Sequence, residues 1–170
     1  MLEIFNTLKP FFEDCYRRIN VREYARIQKI SPPTASKILE KLHKEGLLKK
    51  EKENLYNYYF ANKDSEFFIE LLRIYWKRIL EDSGLLEELE KNLLNPIVYL
   101  FGSLSKAEVK GDSDIDLAIF TPKKKEINLE KFEKLLKRKI QIFVFKDMKD
   151  VKNEELLKNI LNGFKIKGSW

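Results

Sequence analysis

Apolar residues in this chain change their spacing near residue 95. Before that point, apart from the runs Leu47 to Lys50 and Leu55 to Phe60, they recur at intervals of three and four, as helices packed on one face require. After it, short apolar runs alternate with helical stretches, as strands covered by helices require. One layer cannot satisfy both patterns, so the 170 residues are expected to form an α+β protein. We expect an N-terminal module over residues 1–63, a helical connector over 64–94 and a C-terminal α/β module over 95–170. A content of 44% hydrophobic and 35% charged residues is enough for a core and excludes a disordered chain. The longest apolar stretch, Phe67 to Leu80, is interrupted by Glu70, Arg73, Lys77 and Arg78, so no membrane span is expected. Met1 to Phe5 lack the pattern of a secretion signal, and the expected location is the cytoplasm. With Cys15 and His43 the sole residues of their kinds, a metal would have to be held mainly by oxygen.

The net charge of +6 is unevenly spread. Residues 1–65 hold 13 Lys and Arg against 9 Asp and Glu, an excess of four, which leaves an excess of two for the rest. In this basic segment Leu2, Phe5, Leu8, Phe11, Phe12 and Tyr16 suit a first helix, with a kink or break expected at Pro10. A short helix fits Val21 to Lys29. Ser31 is then placed to cap a new helix with Pro32 in its first position, and Ala35, Ile38, Leu39 and Leu42 form its apolar stripe up to Gly46. Two short strands around a polar turn follow, Leu47 to Lys50 and Leu55 to Phe60. Thr34, Ser36 and Lys37 lie off the stripe near the start of the capped helix, where side chains would meet DNA bases or phosphates. Lys41, with Lys49 and Lys50 on the hairpin, would add phosphate contacts, and Arg17, Arg18 and Arg22 could grip the backbone.

Val21 to Phe60 resembles the winged helix-turn-helix domain of MarR-like and ArsR-like transcription regulators. The likeness is carried by Ser-Pro-Pro-Thr-Ala-Ser and then Ile-Leu-Glu-Lys-Leu-His-Lys-Glu-Gly-Leu-Leu. It implies a double-stranded DNA partner; a protein-binding or dimerisation role for the same module is the alternative. A homodimer is expected, because ten apolar residues between Phe67 and Leu80 exceed what one packing face hides and paired recognition helices read two half-sites. Burial of this helix within one chain is the competing explanation.

In the C-terminal module, Ile97 to Phe101, Asp114 to Phe120 and Ile140 to Phe145 read as strands, with helices over Leu129 to Lys137 and Asn153 to Leu161. Asp114 and Asp116, two apart on a strand, would project from one face and share divalent cations. Gly102 and Ser103 follow the preceding strand, where backbone N–H groups and a hydroxyl can receive phosphate. The order Gly102-Ser103, ten residues, Asp114-Ile115-Asp116 resembles the minimal nucleotidyltransferases of the DNA polymerase beta superfamily over about residues 95 to 168. The resemblance implies a mixed sheet with flanking helices, a nucleoside triphosphate with Mg2+, and nucleotidyl transfer. It also implies a third carboxylate on a later strand, where this chain has Gln141. Asp147 or Asp150 would substitute only if the chain folded back toward Asp116. The reading is a DNA-binding regulator that binds magnesium-nucleoside triphosphate. An active nucleotidyltransferase modifying a partner protein, or an antitoxin-like partner of a toxin, is the alternative, and the residues leave catalysis open.

Overall fold

A computed structural model describes residues 2–122 and 125–170. The chain divides into two compact units. One runs to Leu72 and includes Ala107–Gly111; the other comprises Arg73–Lys106 and Asp112–Trp170.

The first unit opens with α1 (Glu3–Glu13), which passes through Pro10 rather than breaking there. Proline has no N–H for the carbonyl four residues earlier, so Asn6 would lose its partner. Gln28 Nε2 donates to that carbonyl at 2.9 Å, and the helix continues. Strand β1 (Ile19–Asn20) leads directly into α2 (Val21–Gln28), whose first turn is capped by Asn20, its side chain accepting from Glu23 N. Ser31 caps α3 (Pro32–Lys44) through Thr34 N, and Pro32 occupies the first turn, where its missing N–H costs nothing. After Gly46, at φ +74, the chain turns into β2 (Leu48–Glu53) and returns as β3 (Tyr56–Ala61). The antiparallel order is β1-β3-β2, with Ile19 opposite Tyr59. Leu8, Phe11, Phe12, Ile19, Tyr24 and Leu39 are fully buried in this unit.

Helix α4 (Glu66–Asp82) contributes its first turns to this unit and the remainder to the second. The second unit continues with α5 (Leu85–Asn92), β4 (Ile97–Phe101), a 3-10 turn (Gly102–Ser105), β5 (Ile115–Phe120), α6 (Glu130–Leu136), β6 (Ile140–Phe145), α7 (Glu154–Leu161) and β7 (Phe164–Lys167). The sheet order is β6-β5-β4-β7. β5 and β6 are parallel, joined through α6, and the other pairs are antiparallel, which makes the expected mixed sheet. Every residue of β5 is buried except Asp116. An ionisable side chain interrupting the most buried strand is an energetic cost, and such a residue marks a candidate site.

Candidate functional site

Strand β5 places Asp116 between Phe101 of β4 and Gln141 of β6. Beside it the chain leaves β4 and enters the 3-10 turn at Gly102, whose φ of +71 disfavours any residue with a Cβ. A methyl group at Gly102 would collide with Asp116 Oδ2 and stand 3.2 Å from the carboxyl carbon. The carboxylate therefore lies directly against the Gly102 backbone, and Ser103, half-buried, follows at once. Ser105 Oγ donates to the Gly102 carbonyl at 2.9 Å, and Arg73 Nε donates to the Ser105 carbonyl at 2.8 Å, so the turn is held at both ends. Sequence reasoning does not single out Arg73, whose one local signal is a cation within an apolar helix.

Asp114 departs from expectation in one respect. It lies just before β5, which begins at Ile115, so it is not a strand residue and its direction is not set by the pleat. Gln141 Nε2 instead donates to Asp114 Oδ2 at 2.7 Å. Burial, and secondly the neighbouring Asp114 charge, push the Asp116 carboxyl above the ordinary carboxylate range. The two acids thus share one electrostatic neighbourhood. No group of three or more His, Cys, Asp or Glu is gathered to hold a metal among the described residues, which leaves Asp114 and Asp116 as a pair of oxygen donors. Asp147 and Asp150 are remote from them. They lie past the end of β6, roughly 15–20 Å along the strand direction from Gln141, and they accept from Lys149 N and Lys146 N in a local turn.

Residues 85–166 match the family model Polymerase beta, Nucleotidyltransferase. The chain carries a nucleotidyltransferase-like domain. No curated protein matches the chain, and no solved structure matches it.

In the first unit, Lys37 and Thr34 are exposed near the start of α3, and Ser36 is half-buried. The Thr34 hydroxyl is already 2.8 Å from Ser31 Oγ in the cap. Lys41 lies 3.9 Å from Glu45, Lys49 pairs with Asp64, and Lys50 pairs with Glu40. Arg17 binds Glu23 at 2.7 Å, and Arg18 reaches Glu51 and Glu53 at 3.1 and 3.3 Å. Much of the basic excess is therefore matched locally by acids, and Lys37 is the cation best presented at the start of α3. No helix among the described residues is long and apolar enough to cross a membrane.

Proposed function

We propose that the protein is a DNA-binding regulator whose nucleotidyltransferase-like domain binds a magnesium-nucleoside triphosphate. The observation that carries the nucleotide part of this reading is the contact of the Asp116 carboxylate with the Gly102 backbone, beside Asp114. Two carboxylates are too few for an all-protein cage but suit Mg2+, which keeps several waters and completes its shell with substrate phosphates. Asp114 and Asp116 would hold the ion, whose charge would neutralise the triphosphate oxygens. Backbone N–H groups at Gly102 and Ser103, with the Ser103 hydroxyl, would orient the phosphate tail.

Nucleotidyl transfer asks for more. Gln141, beside Asp116 on β6, has an amide in place of a base, and it donates to Asp114 rather than accepting a proton. A positioned general base is typically worth about 100- to 10,000-fold, so binding without efficient transfer is the expected behaviour. The alternative is an active nucleotidyltransferase that modifies a partner protein. Incubation with labelled ATP, Mg2+ and cell extract, followed by intact-mass analysis, separates the two. A partner that gains a nucleotide, with labelling lost in Asp116→Asn, establishes an enzyme; binding without transfer supports the sensor.

For the first unit, the winged helix-turn-helix reading rests on the α2–α3 pair, the β2–β3 hairpin and exposed Lys37. Lys37→Ala should lower the slope of log affinity against log salt by about 1, because one phosphate would no longer be neutralised. Removing Lys49 and Lys50 together should lower it by less than about 2, since each already has an acidic partner. Salt-independent binding, or no duplex binding, would count against the regulator. We also propose a homodimer.

A further inference from the structure

We infer that Arg138, seated on the indole of Trp76, is a positioning residue for Asp114; this rests on the nucleotide reading above. Because Asp114 precedes β5, its direction depends on the chain entering the strand. Two hydrogen bonds fix that entry. Ile115 N donates to the Lys139 carbonyl at 2.8 Å, and Arg138 Nη1 donates to the Ser113 carbonyl at 2.7 Å. Ser113 is bonded directly to Asp114, so the Arg138 bond orients the peptide that carries the acid. Gln141 holds the carboxylate itself from β6, while Arg138 holds the backbone behind it.

Arg138 is in turn held on two sides. Its N–H donates to the Glu133 carbonyl at 3.3 Å where α6 ends, and Glu133 Oε1 accepts from Ile140 N at 2.9 Å just beyond. Its guanidinium carbon lies 5.0 Å from the centre of the Trp76 ring, within the range of a cation–π contact. Trp76 is 3% exposed and meets Tyr75 edge-on at 5.4 Å, so the platform itself is packed. Among the described residues, Trp76 Nε1 is buried without a hydrogen-bond partner. An indole whose N–H has no acceptor contributes its face, and a tryptophan face is the strongest aromatic partner for a guanidinium. The cation–π contact keeps the planar fork in place to reach Ser113. Lysine at this position would retain the charge but lose the planar fork.

The test uses the full chain carrying Trp170→Phe, in which Trp76 is the remaining tryptophan. Mg2+ and ATP binding is measured by calorimetry and by Trp76 emission, with thermal unfolding of the ligand-free proteins in parallel. On the inference, emission changes with the midpoint of the binding isotherm. Arg138→Lys should weaken Mg2+-dependent ATP binding about tenfold or more, the usual effect of losing a group that orients a metal ligand, and should silence the emission change. Metal-free ATP affinity should be unchanged, because the group acts through the metal-holding acid. Trp76→Phe, which keeps a weaker ring face, should have a smaller effect in the same direction. Folded Arg138→Lys and Arg138→Gln proteins that bind Mg2+ and ATP as tightly as their parent would overturn the inference. Loss of metal-free and metal-dependent binding in equal measure would also overturn it, as a purely structural role predicts. A parent that binds no Mg2+ and ATP removes the nucleotide reading and this inference together, whereas a parent that binds beside unaltered variants removes the inference alone.

Discussion

At Gly102 two separate constraints meet on one atom. The left-handed backbone disfavours a side chain by roughly 1–2 kcal/mol, and the Asp116 carboxylate fills the space that a Cβ would need. Gly102→Ala should therefore destabilise the protein by at least that amount in a denaturant titration and displace Asp116, with loss of Mg2+-dependent nucleotide binding. A variant as stable as the parent would show that the turn relaxes freely. Asp116 carries the opposite balance, stability given up for a site. Its carboxyl is raised in the folded state by burial and by Asp114, so the folded protein holds that proton more tightly than the unfolded chain. Stability from this group is lost as pH rises from the ordinary aspartate range through the folded value, and the ionised form is a burden at neutral pH. Without metal, Asp116→Asn should melt higher than the parent at pH 7, and the difference should vanish below the ordinary aspartate range. Equal melting temperatures at pH 7 would contradict this. The spacing of Gly102, Ser103, Asp114 and Asp116 was legible in the sequence because strand ends and glycine turns leave local marks. Arg138 left none and Arg73 only a cation within an apolar helix, since the tertiary path alone brings them to Ser113 and Ser105.

Among the elements, α3 is tied to the hairpin by a small polar cluster. Glu40 on α3 accepts from Lys50 on β2 and from the buried Tyr59 hydroxyl on β3, at 2.5 Å for the latter. The Lys50 bond, then the Tyr59 bond, hold the Glu40 carboxyl below its ordinary value. Burial, then Glu40, raise the Tyr59 hydroxyl. A depressed carboxyl contributes stability that is present above its unfolded pKa and lost as pH falls through the folded one. Glu40→Gln should cost about 1 kcal/mol at neutral pH, allowing for solvent screening of a partly exposed carboxylate, and should cost nothing at low pH. Chemical denaturation at two pH values checks this, and a cost independent of pH would refute it. The elements most readable in advance were those with local signals: the Ser31 cap, Pro32, Gly46 and the strand runs of the second unit. Strand β1 has two residues and forms only because Tyr59 and Tyr58 lie opposite it. Unbroken α1 likewise depends on Gln28, distant in sequence from Pro10. No window of local periodicity contains such partners.

For the whole molecule, α4 poses the remaining question of association. The fold hides Phe68, Leu72, Tyr75, Trp76 and Leu80, so intrachain packing accounts for half of the ten apolar residues between Phe67 and Leu80. Phe67 and Ile74 remain 56% and 46% exposed. They are seven residues apart, two turns of helix, and so share one face, with half-buried Leu71 between them. A second copy of the chain would present the same stripe, and a self-complementary pairing of two such helices satisfies the symmetry of a closed dimer. It would also give a regulator two recognition helices for half-sites about 34 Å apart or a multiple of that. Light scattering should accordingly report twice 20.3 kDa at micromolar concentration. Phe67→Glu with Ile74→Glu should halve that mass while circular dichroism stays unchanged, because neither side chain is part of the buried core. Duplex affinity should fall with the mass, since one recognition helix would then have to hold the site alone. A wild-type chain that scatters as a monomer would mean that the stripe is simply solvated, and DNA binding would have to be explained by single half-sites.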